Sequence, residues 1–116
     1  MKNLFLILLT FCSFSVMGQS KLNGVWNTGD ENTKIEISES NGELIGKIKS
    51  SDNTKAKVGT PILKDFVKED TNWKAKIYAA KKQKWYDATV TPKGDVLEIE
   101  ISVGFLSKTL EWKRVP

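Results

Sequence analysis

Apolar and polar residues alternate along most of this chain in short runs, and a turn signal breaks the alternation at intervals of roughly eight to twelve residues. Successive side chains of an extended strand point to opposite faces, so a period of two is what a half-buried strand writes into a sequence. Thr33-Lys34-Ile35-Glu36-Ile37-Ser38 alternates in this way, Asn41-Gly42 follows, and Glu43-Leu44-Ile45-Gly46-Lys47-Ile48-Lys49 runs back. Asn-Gly between two such runs is a strong hairpin signal, because both residues tolerate positive φ. If Ile35 and Ile37 face inward, Leu44, Gly46 and Ile48 share that face. No segment carries a 3.6-residue period, and an all-β domain is the only class this pattern supports.

The remaining runs extend the count. After a polar loop at 50–59, Pro61-Ile62-Leu63-Lys64-Asp65-Phe66-Val67 restarts a strand, with Pro61 at its first position, where a missing N–H does little harm. Glu69-Asp70-Thr71-Asn72 turns the chain into Trp73-Lys74-Ala75-Lys76-Ile77-Tyr78. Residues 80–83 turn it again into Lys84-Trp85-Tyr86-Asp87-Ala88-Thr89-Val90. Pro92-Lys93-Gly94-Asp95 reads as a turn. It leads to Val96-Leu97-Glu98-Ile99-Glu100-Ile101-Ser102-Val103, whose Leu97, Ile99, Ile101 and Val103 lie on one face. Gly104 breaks that run and residues 108–115 close the chain. With a first strand over residues 22–28, about eight strands joined by short turns predict a small antiparallel up-and-down barrel, which leaves no exposed sheet edge. An open two-sheet sandwich is the alternative.

The N-terminus has a different character. Met1-Lys2-Asn3 precedes an apolar stretch from Leu4 to Met17, and Val16-Met17-Gly18 suits signal-peptidase cleavage before Gln19. These features predict a signal peptide over residues 1–18, a single domain over 19–116, and export to the periplasm or beyond the cell. The stretch is short for a bilayer span and is interrupted by Ser and Thr. Cys12 follows Phe11 in mid-stretch rather than a small residue, which argues against lipid attachment. Losing Lys2 and Cys12 with the signal leaves 17 basic and 14 acidic residues, a net charge of +3, and no cysteine for a disulfide.

The chain has no His, and the expected mature domain has no Cys. Imidazole triads, thiol catalysis and soft-metal sites are therefore excluded from that domain. The glycines are scattered singly, so no phosphate-binding loop is present. No catalytic residue, cofactor or metal is expected. Carboxylates at Asp30-Glu31, Asp52 and Glu69-Asp70 lack the spacing of a calcium loop. Nucleic acid is a poor partner for an exported chain of so small a net charge without a binding module.

Several stretches together resemble the bacterial secreted proteins grouped as domain of unknown function 2147, which look like small lipocalin-type (calycin) barrels. They are Gly24-Val25-Trp26, Asn32-Thr33-Lys34-Ile35-Glu36-Ile37, Gly42 with Gly46-Lys47-Ile48, Pro61-Ile62-Leu63, Trp73 with Ile77-Tyr78, Lys84 with Tyr86, Gly94-Asp95, Gly104 and Trp112-Lys113-Arg114-Val115. The chain departs from the family pattern at Ala79-Ala80 and Gln83, on the middle hairpin, and is shortened between Gly104 and Lys108. The resemblance implies a fold and no activity. It also implies that Gly24, Trp26 and Arg114 form a lipocalin-type latch, with the guanidinium over the indole face. Such a contact is worth about 0.5–2 kcal/mol, and Gly24 would permit the close approach.

Two functions remain open. In the first, a non-enzymatic binding protein holds a small apolar or amphipathic ligand in the barrel mouth near Tyr78, Trp85 and Tyr86, where Trp and Tyr offer apolar area with a polar tip. Trp73 is assigned to the core, and the parity of Tyr86, Ala88 and Val90 sets Trp85 outward or on the rim. In the second, the barrel is filled and docks to an envelope protein or an anionic lipid surface through the hairpin carrying Lys74, Lys76, Lys81, Lys82 and Lys84. An enzyme ranks third, limited to carboxylate or tyrosine chemistry.

Overall fold

A computed structural model describes residues 21–116; the expected signal segment and Cys12 lie outside the described residues. Eight strands close into one barrel: β1 (Gly24–Asn27), β2 (Lys34–Ser40), β3 (Glu43–Ser50), β4 (Pro61–Lys68), β5 (Trp73–Ala79), β6 (Lys84–Lys93), β7 (Val96–Val103) and β8 (Leu106–Arg114). Each strand pairs antiparallel with the next, and β1 returns to β8 through Trp26↔Arg114 and Asn27↔Lys113. The predicted barrel is the observed one, and the sandwich is not. Asn41 and Gly42 both have positive φ (53° and 82°) between the paired Ser40 and Glu43, the tight hairpin their sequence implied.

The turn expected at residues 92–95 is shorter than its sequence suggested. Pro92 and Lys93 continue β6, pairing with Leu97 and Val96, and only Gly94-Asp95 turn. Pro92 is tolerated because β5 ends opposite Val90, so this part of β6 has a partner on one side only.

The inward face is apolar along nearly its whole length. Leu22, Trp26, Ile35, Ile37, Ile48, Leu63, Ala75, Ile77, Ala88, Val90, Leu97, Ile99 and Trp112 are buried. No polar or charged residue is buried among the described residues. An eight-strand barrel is about wide enough to be filled by side chains, and the buried set here includes two tryptophans and eight leucine or isoleucine side chains.

The wall is not uniform. β3 and β4 pair through Gly46↔Leu63 and Lys47↔Pro61. Backbone bonds from Ile48 N–H to Thr60 O (2.9 Å) and Gly59 N–H to Ile48 O (2.8 Å) continue the contact toward the connecting loop. In the other direction the ladder stops, leaving residues 43–45 and 64–68 unpaired with each other. A bulge sits at that level: Lys64 opposes Lys76 and Val67 opposes Lys74, so Asp65 and Phe66 together face Ala75. Asp65 takes the left-handed conformation (φ 55°). A bulge bends its strand and increases local twist, and here the bend carries β4 away from β3.

Candidate functional site

Strand direction alternates, so the barrel has two distinct ends. The turns at Asn41-Gly42, 69–72 and Gly94-Asp95 share one end with both chain termini of the barrel. Gly24, Trp26 and Arg114 meet there. The Arg114 Cζ stands 4.3 Å from the centroid of the buried Trp26 ring. Its Nη1 donates to the carbonyl of Asn23 (2.9 Å) and its Nη2 to that of Lys21 (3.0 Å). Trp26 Nε1–H donates to Leu22 O at 2.9 Å. Gly24 has φ 136°, and a Cβ on it would lie 2.6 Å from Arg114 Nη1. This cluster ties the first and last strands together around a filled base.

Beside it, the split between β3 and β4 opens a cleft of about 390 Å³. Leu44, Phe66 and Trp73 form its apolar walls, and the carboxylates of Glu39, Glu43 and Asp65 lie at its rim. Phe66 and Trp73 meet edge to face, with centroids 6.2 Å apart and planes at 81°. Both rings are half-buried and pack against the core, as does Leu44. A second depression of about 510 Å³ shares Glu43, Leu44 and Asp65 with the first and continues onto the outer surface at Ile45 and Lys64. Both lie where the β3–β4 ladder is missing. Three carboxylates line the inner cleft, and Lys68 Nζ lies 5.4 Å from the centroid of the Trp73 ring at its wall.

The aromatic trio expected at one mouth is divided by strand parity. Tyr86 pairs with Ile77 on the inner face and packs against the core. Tyr78 pairs with Trp85 on the outer face, with ring centroids 5.2 Å apart. Lys64 Nζ lies 4.2 Å from the Trp85 ring, so these three side chains form an external platform rather than a mouth lining. Tyr86 also lies toward the 80–83 turn, at the end opposite the cleft. Trp73 takes the half-exposed cleft position instead of a fully buried one.

On the same outer face Lys76 Nζ meets Asp87 Oδ1 at 2.7 Å. That hydrogen bond, reinforced by the opposite charges, raises the Lys76 pKa and lowers that of Asp87. The Asp87 contribution is present above the ordinary carboxylate range and is lost as pH falls through its depressed folded value. The Lys76 contribution is present below the ordinary lysine range and is lost as pH rises through its elevated one. The pair is exposed, so both contributions are small.

Among the loop carboxylates, Glu31 makes a side-chain contact between loops. Glu31 Oε1 accepts from Asn53 Nδ2 (2.9 Å) and Glu31 O accepts from Asp52 N–H (2.9 Å), joining the 28–33 and 51–60 connections. No group of three or more His, Cys, Asp and Glu side chains is placed to hold a metal ion among the described residues.

A closed eight-strand antiparallel barrel, plugged at its base and tied there by a late arginine over a first-strand tryptophan, defines a small lipocalin-like barrel protein. Residues 24–114 match the family described as "Uncharacterized protein conserved in bacteria (DUF2147)", and the chain belongs to that family. No curated protein and no solved structure matches the chain.

Proposed function

We propose that this protein is an exported, non-enzymatic binding protein that holds a small amphipathic molecule in the cleft walled by Leu44, Phe66 and Trp73. One observation carries the reading: where the β3–β4 ladder stops, a cleft of about 390 Å³ opens against the half-buried apolar and aromatic side chains of Leu44, Phe66 and Trp73, which pack on the core. The volume lies in the range of small-molecule sites, which begins at about 300 Å³. Export is supported by the sequence of residues 1–18. A second reading, docking of a filled barrel to an envelope component, is favoured by the external Tyr78–Trp85–Lys64 platform.

A neutral environment-sensitive probe, N-phenyl-1-naphthylamine, separates the two surfaces. Its fluorescence is expected to rise on saturable one-to-one binding. Trp73→Ala should weaken that binding by about tenfold, the equivalent of 1.4 kcal/mol, while Trp85→Ala leaves it unchanged. Loss of binding in Trp85→Ala with Trp73→Ala unaffected would transfer the site to the outer platform.

A further inference from the structure

At the barrel end opposite the cleft, two neighbouring hairpins end in unlike but complementary chemistry. The β7–β8 hairpin is paired to its tip, Val103↔Leu106, and turns through Gly104-Phe105. The β6–β7 ladder ends at Ala88↔Ile101, so the tip extends past the last residues paired to β6. Its side chains are apolar and open to solvent: Phe105 is 98% exposed, Leu106 67% and Val103 44%. Nothing in the barrel's packing requires a phenylalanine there. Continuing the β6–β7 register sets Tyr86 level with Val103 and Lys84 level with Phe105, which brings the 80–83 turn alongside the tip. That turn and its flank carry Lys81, Lys82 and Lys84, and β8 adds Lys108; all four are exposed. Residues 79–86 and 101–110 contain no carboxylate, and the nearby Asp87 is engaged by Lys76.

We propose that this end of the barrel docks on an anionic lipid surface, with Phe105 and Leu106 entering the interfacial zone and the four lysines meeting the phosphate headgroups. A contiguous exposed apolar patch ringed by one sign of charge marks an interaction surface, and apolar insertion with lysine contacts is how peripheral proteins hold to anionic leaflets. The charge pattern chooses among occupants. A second copy in a symmetric contact would set lysines against lysines, whereas anionic headgroups complement them. A projecting tip also suits penetration of a fluid surface. The cleft would then face away from the membrane, and this docking does not depend on the cleft holding a ligand.

The barrel is complete within residues 21–116, so the test uses the chain from Gln19 onward. Co-sedimentation with vesicles of phosphatidylglycerol and phosphatidylethanolamine is compared with vesicles of phosphatidylcholine alone, at an ionic strength of about 0.15 M. Binding to the anionic vesicles is expected, with little to the neutral ones. Phe105→Asp should reduce it at least about tenfold without changing thermal melting. Lys81→Gln, Lys82→Gln and Lys84→Gln should each reduce it about fivefold and flatten its salt dependence. Absence of vesicle binding, equal binding to both vesicle types, or full binding by Phe105→Asp would each overturn the proposal. So would capture of a protein through this tip in the absence of vesicle binding.

Discussion

Trp26→Ala is expected to lower the melting temperature by about 12 °C or more. The indole is fully buried, its Nε1–H is bonded to Leu22 O, and its outer face carries the Arg114 guanidinium. Removing a buried tryptophan side chain leaves a cavity that costs about 3–5 kcal/mol. For a domain of this size each kcal/mol is roughly 4–8 °C. Leu22, outside β1 yet wholly buried, loses the bond that holds its carbonyl, so the segment before β1 should loosen together with the core. Trp26→Phe separates the contributions. It keeps much of the volume but neither the Leu22 bond nor the wider indole face, and its melting temperature should fall between those of the wild type and Trp26→Ala. A melting temperature for Trp26→Ala within a few degrees of wild type would contradict the assignment of this residue as the base of the barrel.

Arg114→Ala should cost about 2 kcal/mol, a fall of about 8 °C or more. The guanidinium makes two charge-assisted hydrogen bonds to the carbonyls of Asn23 and Lys21, besides the contact with Trp26. Charged hydrogen bonds are worth about 1.5–3 kcal/mol each when buried. This side chain is 31% exposed, and its approach to Asp95 is long at 4.0 Å, so the sum is discounted for solvent. Gly24→Ala attacks the same contact from the other side, because the added methyl would lie 2.6 Å from Nη1. In the Arg114→Ala background that methyl meets open space. The double variant should therefore lose less than the two single losses added together, the residue being the strain of an alanine at φ 136°. Probe binding at the cleft should be unaffected by Arg114→Ala, since Arg114 does not line it. Unchanged melting of Arg114→Ala would show that the arginine covers the tryptophan without fastening the strands.

Much of this structure was legible in the alternation alone. Ile35, Ile37, Leu97 and Ile99 face inward as their parity dictates, and Asn41-Gly42 makes the hairpin its chemistry requires. The cleft was not legible, for a reason that lies in β4. Counting alternately from the buried Leu63 assigns Asp65 and Val67 inward and Phe66 outward. The bulge inserts one residue and inverts the assignment, so Phe66 turns toward the core and Val67 is left 59% exposed. A left-handed aspartate in mid-strand gives no local sequence signal. The gap between β3 and β4 is likewise a product of strands distant in sequence.

Elsewhere the parity was present and outweighed by residue type. Tyr78 shares the phase of Lys74 and Lys76, which already sets it outside, although its aromatic character groups it with Tyr86. The β7–β8 tip shows the limit of the alternation itself. Val103 keeps the phase of Leu97 and Ile99, but burial depends on whether a neighbouring strand stays paired at that level, and the β6–β7 ladder ends at Ala88↔Ile101. The Arg114–Trp26 contact joins residues at opposite ends of the barrel sequence, and its sequence signal was the resemblance to the latch of lipocalin-type barrels.

The most direct measurement is native mass spectrometry of the protein purified gently from the cells that make it, before and after organic extraction, with Trp73→Ala prepared in parallel. A stoichiometric small molecule is expected on the wild-type barrel, removed by solvent and absent or strongly depleted on Trp73→Ala. A bare mass for the wild-type protein, or an adduct that Trp73→Ala retains undiminished, would contradict a ligand held in the β3–β4 cleft.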